Sequence, residues 1–436
     1  MQILEWNSLS ETARDAALAR PAQRELQQTR IAVREIIAAV RSRGDAAVRD
    51  YTSQFDRVDL DALEVGVDEM HNAQRALTQQ QLAAIDTAIG TIHAFHAAQR
   101  AAPVRVETAP GVLCERIVRP IRAVGLYVPA GSAPLPSTAL MLAVPAAIAG
   151  CPERILCTPP GPDGRADAAV LVAAQKAGTT RIFKCGGAQA VAAMAYGTSS
   201  IPKCDKLFGP GNAWVTEAKL QVANDPDGAA FDLPAGVSEV LVIADAKANP
   251  VFVAADLLAQ AEHGADAQAL LVTDSRELAL QVGAQVAAQV KTLSRRDILA
   301  VSVANIRLLV AADLHTAFAI ANRYAAEHLI IQVESARDWL PEVHNAGAVF
   351  LGPWSPESVG DYCSGPNHTL PTYGYARAYS GLSLEDFQKR MTVQELTPQG
   401  LRNLGPTTQV LAGLEALDAH AAAVTRRLQA LGPATP

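Results

Sequence analysis

The chain of 436 residues has no run of lysines and arginines, and its formal net charge is −7. That absence argues against nucleic acid as a partner, because binding it takes a basic footprint that neutralises phosphates. Long apolar runs are missing too: the longest, Ala139 to Cys151, is broken by Pro145 and is too short to cross a bilayer. The opening MQILEWNSLSETARDA shows no basic stretch leading into an apolar one, so no secretory signal is expected. A cytoplasmic protein with no membrane partner follows as the expectation. The six cysteines, Cys114, Cys151, Cys157, Cys185, Cys204 and Cys363, contain no CxxC pair, which removes zinc-ribbon and dithiol redox patterns. No GxGxxG fingerprint occurs in the loops discussed below.

What is present is a chain 49% hydrophobic and only 5% aromatic, long enough for two or three domains with proper cores. The first hundred residues read as helix. Ile31, Val33, Ile36, Ile37 and Val40 follow helical spacing, Gly44 stops them, and Leu82 to Ala101 forms a second amphipathic stretch. His93 and His96, three apart in that stretch, have no acidic neighbour and suit a surface or packing role.

From about residue 106, short β-rich runs alternate with alanine-rich helices. Strands are expected at Ala123–Val128, Arg154–Thr158, Arg181–Cys185 and Lys206–Phe208, then at Glu239–Ala244, Ala269–Thr273, Arg307–Val310, Leu329–Val333 and Ala348–Leu351. The alternation predicts two α/β units in tandem, each on a parallel sheet. Ligands in such sheets sit at the carboxyl ends of strands. The loops there are rich in glycine and proline: Tyr127–Ser132 (YVPAGS), Cys185–Gln189 (CGGAQ) and Phe208–Asn212 (FGPGN). Each alone is a tight turn; three on one sheet suggest exposed backbone N–H groups around a phosphate-bearing ligand.

The helix expected after Asn249 carries the most specific polar pattern. Asn249 suits the N-cap, Pro250 the first helical position and Gly264 a left-handed residue past the end. Asp256, Gln260 and His263 recur along one edge of its apolar stripe, so Gln260 and His263 can point at one place. Taken singly, such a pair reads more readily as polar residues at the exposed rim of a core helix than as metal ligands. Beyond about 381 the alternation stops. The tail reads as helical, with Leu411, Leu414, Leu417, Val424 and Leu428 on one stripe, and a second copy of the chain is the economical cover for it. Glu415 and His420 are its odd polar residues.

Four segments then identify a family. DLPAGVSEVLVIADAKANPVFVAADLLAQAEHGAD, YAAEHLIIQ, SPESVGDYCSGPNHTLPTY and DFQKRMTVQEL, in that order, resemble histidinol dehydrogenase through essentially the whole chain. One departure is Val237 in AGVSE, where the family more often has proline. The resemblance implies an enzyme that oxidises L-histidinol through L-histidinal to L-histidine with two NAD+, the last step of histidine biosynthesis. The fold it implies is α/β, with two tandem incomplete Rossmann-like units plus a helical N-terminal region and a C-terminal helical tail. The domains would run 1–105 (helical, its later part packing on the second α/β unit), 106–236 (NAD-binding loops), 237–381 (zinc and catalytic residues) and 382–436 (a tail exchanged in the dimer).

Carried residue by residue, the resemblance implies one zinc per subunit held by Gln260, His263, Asp361 and His420. Glu327 and His328 would be the acid/base pair. Substrate contacts would fall on Ser238, Gln260, His263, His328, Asp361, Glu415 and His420, and NAD contacts on Tyr127, Gln189 and Asn212. A homodimer is implied, its C-terminal tail completing the neighbour's site.

The chemistry suits these residue types. Alcohol oxidation needs a base for the hydroxyl proton and a hydride acceptor; imidazole titrates near neutrality and moves protons in both steps. Glu327 is placed to activate the water that hydrates the aldehyde, and one pocket for both steps retains a reactive amino aldehyde. Three alternatives remain at this level. A zinc hydrolase would use the same metal site with Glu327 as base. A cysteine nucleophile, Cys114 or Cys151, would form a thiohemiacetal. A binding protein for imidazole compounds would show no turnover.

Overall fold

The computed structural model describes residues 1–20, 26–130, 133–234 and 236–432. Gly131 and Ser132 of the YVPAGS loop and Ala235 of the AGVSE turn lie outside the described residues. The chain divides into two compact units, one of residues 1–99 and 121–387, the other of 100–120 and 388–436.

The first unit holds both parallel sheets. One has five strands in the order Arg181–Lys184, Glu153–Thr158, Ala123–Tyr127, Lys206–Phe208, Ala230–Phe231. The other has six, in the order Gln2–Glu5, Arg307–Val310, Gln268–Thr273, Glu239–Ala244, His328–Gln332, Ala348–Leu351. All their pairings are parallel. Runs such as EVLVIA are buried at every position, the signature of a parallel strand covered by helices on both faces.

The N-terminal region packs differently from expectation. Its later helices cover the five-stranded sheet: Val33, Ile36 and Val40 join Phe183 and Val191, while Ala88 and Ile92 join Leu126 and Met141. It is the earliest part, with Trp6, Ala17 and Leu18, that packs on Leu241, Leu309 and Leu329 of the six-stranded sheet. The cause is strand addition: Gln2–Glu5 pairs with Arg307–Val310 and takes the first helix with it. His96 is fully buried, its Nδ1 2.9 Å from Ile92 O, and so has the packing role expected of it.

In the second unit, Gln388–Leu396, Val112–Pro120 and Val104–Ala109 form an antiparallel sheet. The tail read as wholly helical therefore begins with a nine-residue strand. Its KRMTVQEL segment carries the adjacent β-branched pair Thr392 and Val393 and pairs with Val112–Pro120, overriding the helix pattern. Two helices follow, Pro398–Leu414 and Asp418–Ala430. Val424 and Leu428 close on Gly405, where a β-carbon would meet Leu428 at 3.0 Å. Leu411, Leu414 and Leu417 stay exposed, so the expected single stripe is split.

Candidate active site

Helix Pro250–Ala261 forms as its caps dictate: Asn249 Oδ1 accepts the Val251 N–H at 2.9 Å and Pro250 needs no donor there. Its end is earlier than expected. Glu262 is the C-cap in right-handed geometry, and Gly264 is not among the residues of positive φ. Because the helix runs back against strand Glu239–Ala244, its last turn returns to the amino edge of the six-stranded sheet. Gln260 sits in that turn and His263 just past it, its N–H donating to Gln260 O at 3.2 Å.

Glu327 and His328 reach the same edge by another route. Helix Leu314–Tyr324 stops at Ala325, which takes φ +56 without being glycine, so the chain turns and His328 opens the next strand. Ala325 and Ala326 carry no helix-stop signal in the sequence. Glu327 and His328 lie at the amino edge of the sheet, beside Ser238 and Glu239.

The third contribution is the short helix Glu357–Tyr362, whose spacing puts Glu357 and Asp361 on one face. His328 Nδ1 lies 3.4 Å from Glu357 Oε1 and 3.9 Å from Glu327 Oε2; its Nε2 lies 3.5 Å from Asp361 Oδ1. Asp361 Oδ2 is 4.0 Å from His263 Nε2. His263 Nδ1 is 3.0 Å from Ala259 O, an arrangement that orients the ring and leaves Nε2 for the site. Ligand atoms of His263, Glu357 and Asp361 all lie within 4.8 Å of one another. Gln260 is fully buried with neither amide atom hydrogen-bonded, an unpaid cost unless something else engages it.

Burial raises Glu327 to about 7, with His328 and the Glu239 N–H opposing. Burial works against charge on His328, but Glu357, Glu327 and Asp361 outweigh it and lift the ring to about 10. Asp361 is held below the ordinary range: burial opposes and His328 prevails. A cation engaging Asp361 would remove part of that hold and shift the ring toward the neutral form that accepts a proton.

The loops of the five-stranded sheet border a cavity of about 770 Å³ lined by Tyr127, Gln189, Asn212, Trp214, Asp56 and His263. Tyr127 Oη accepts the Gly187 N–H at 3.0 Å, and Gln189 Oε1 is buried without a partner. Gly209, at φ +121, lets its loop pass Tyr127 O where a β-carbon would come within 2.1 Å. Asn212 is exposed and its Oδ1 caps the following helix, accepting from Trp214 and Val215 at 3.1 and 3.2 Å. A second cavity of about 630 Å³ is lined by His328, Asp361, His368, Phe350 and Asn367 among others. The His263–Asp361 pair thus stands where the two cavities meet.

Glu357 and His368 were missed by sequence reasoning; only the i, i+4 spacing of Glu357 to Asp361 signalled the first. Ser238 lies at the amino edge and is half-buried. Glu415 caps helix Pro398–Leu414 and His420 lies on the next helix, both exposed and both in the second unit. Cys151 is buried with its thiol pushed up to about 11 by burial, and its Sγ donates to Phe387 O at 3.4 Å; nothing there activates a nucleophile. Cys114 lies in the second unit's sheet.

Parallel sheets, a cavity at strand ends and a buried histidine–carboxylate cluster beside it define an α/β enzyme for a small molecule held between two sheets. The particular family comes from comparison. The histidinol dehydrogenase family model matches residues 19–428. Relatives named histidinol dehydrogenase include that of Xanthomonas euvesicatoria pv. vesicatoria (strain 85-10), 56% identical over 428 residues, 98% of this chain and 99% of the relative. That of Vibrio parahaemolyticus serotype O3:K6 is 53% identical over 431 residues, 99% of each chain. The crystal structure of histidinol dehydrogenase from Elizabethkingia anophelis superposes with a TM-score of 0.94 at 43% identity, covering 99% of this chain and 98% of that one. The chain belongs to the histidinol dehydrogenase family and is an NAD-dependent oxidoreductase of histidine biosynthesis, with L-histidinol and NAD as substrates. The hydrolase alternative receives no support.

Proposed function

We propose that both oxidations, L-histidinol to L-histidinal and on to L-histidine with two NAD+, take place where the two cavities meet. The observation carrying this is the His263–Asp361 pair: His263 borders the cavity of the glycine-rich loops and Asp361 the cavity of His328. NAD lies against Tyr127, Gln189 and Asn212; the orphaned Gln189 Oε1 suits a hydrogen-bond donor from the cofactor.

Zinc fits the residues present. The buried orphan amide of Gln260, the outward Nε2 of His263 and the Asp361 carboxylate offer nitrogen and oxygen donors of the kinds zinc takes. A site with these ligands, one per subunit, would be completed by His420. Bound there, the metal supplies Lewis-acid polarisation of the alcohol oxygen. His328, its ring nitrogens facing three carboxyl groups at 3.4 to 3.9 Å, accepts the hydroxyl proton. Glu327 activates the water that adds to the aldehyde, and burial lifts its carboxyl into the range a base needs near neutrality. Ser238 and Glu415 complete the hold on substrate. The exposed His420 and the uncovered leucines beside it favour a homodimer in which each tail serves the neighbouring site. Among the described residues no helix is long and apolar enough to cross a membrane.

Metal analysis tests the ligand set. Wild-type protein is expected to carry one zinc per subunit, and His263→Asn and Asp361→Asn to bind it at least about 100-fold more weakly. Full zinc content in both variants contradicts the assignment.

A further inference from the structure

Glu239 opens a strand at the amino edge of the six-stranded sheet and is 1% exposed. Arg20 grips its carboxylate with a two-pronged contact, Nε to Oε2 at 2.6 Å and Nη2 to Oε1 at 2.8 Å. The same Nη2 donates to Tyr324 O at 2.7 Å, and the guanidinium stacks 4.0 Å from the centre of the Tyr324 ring. Tyr324 in turn donates its hydroxyl to Glu239 Oε2 at 2.8 Å. From the other side of Glu239, its backbone N–H donates to Glu327 Oε2 at 2.9 Å.

One guanidinium therefore holds both things that locate the Glu327 carboxylate: the residue supplying its hydrogen-bond donor, and the helix end from which the chain turns into Glu327. Docking of the N-terminal segment does not call for this arrangement. Arg307 already ties that segment by donating to Ala17 O and Ala19 O at 2.7 and 2.8 Å, and Arg323 pairs with Asp15 at 2.6 Å. A buried ion pair gives little net stability over apolar packing, so its value lies in the geometry it imposes.

We infer that Arg20 is a positioning residue for the Glu327 carboxylate, acting through Glu239 and Tyr324. The inference rests on the reading of Glu327 as the group that activates water. A carboxylate misplaced by about an ångström loses on the order of 10- to 100-fold in rate.

The test is steady-state kinetics of the zinc-loaded enzyme for Arg20→Gln, Arg20→Lys, Glu327→Gln and the double variant Arg20→Gln/Glu327→Gln. Arg20→Gln is expected to lower kcat by roughly 10- to 100-fold with KM for L-histidinol and NAD within about twofold. Arg20→Lys should recover part of the loss, since an ammonium replaces only one prong. Adding Arg20→Gln to Glu327→Gln should cost no further rate. A loss that multiplies in the double variant marks a general structural role and overturns the inference, as does an unchanged kcat in Arg20→Gln. If Arg20→Gln fails to fold, Tyr324→Phe carries the same test: it removes one donor to Glu239 and should lose rate only when Glu327 is present. Wild-type kcat in Glu327→Gln would instead sink the underlying reading of Glu327.

Discussion

Glu327 carries its carboxyl where burial pushes it up to about 7, against an ordinary glutamate near 4.5. Below about pH 7 it is mostly protonated and far too weak a base to take a proton from water, so turnover on L-histidinol should fall as pH drops through that value. Glu327→Gln should remove this acid limb and cost about 10²- to 10⁴-fold in kcat; a pH–rate profile of both proteins checks it. Much at this scale was legible, because the residues come in compact motifs: Gln260 and His263 share a helix edge, and Glu327 and His328 are adjacent. Glu357 was not, since a glutamate in SPES is unremarkable until folding buries it against His328. Asn212 shows a third situation, its side chain doing the ordinary work of a helix cap whatever it adds toward a cofactor.

At the scale of elements, the site depends on a helix that must end at the right height. Asn249→Ala removes its cap and should destabilise the protein by about 1 kcal/mol in denaturant unfolding, with weaker binding at the proposed zinc site because Gln260 sits in the last turn of that helix and His263 just past its end. Asp256, one turn before Gln260, is buried and raised to about 7 by desolvation, which the Gln332 hydrogen bond opposes. Its folded value exceeds its unfolded one, so the folded state keeps the proton longer. Stability should therefore fall as pH rises from about 4 to 7, by roughly 2–4 kcal/mol. Asp256→Asn should lack that decline when unfolding is followed across the pH range. Strand and helix positions were readable from βαβ alternation. The exchange of edges was not: a helix returning antiparallel to its strand brings its last turn to the amino edge, so the second sheet meets the first sheet's loops with its opposite end. Likewise a left-handed alanine ends a helix without leaving a signal in the sequence.

For the whole molecule, the tail leaves Val410, Leu411 and Leu414 at 65%, 55% and 79% exposure. Leu414→Asp is expected to yield monomer in sedimentation at micromolar concentration and to lose activity, since in the proposed dimer each tail brings His420 to the neighbouring site. Mixing a His420→Asn chain with a Glu327→Gln chain should restore activity through the dimers that contain one intact site. Two parallel sheets were evident in the sequence, whereas the pairing of Val112–Pro120 with Gln388–Leu396 spans too much chain for any local pattern to reveal. Whether one enclosed site performs both oxidations is measured most directly by the NADH formed per L-histidine with this enzyme alone. Two NADH for each histidine, with no free aldehyde trapped, is the predicted result; one NADH with L-histidinal accumulating in solution contradicts it.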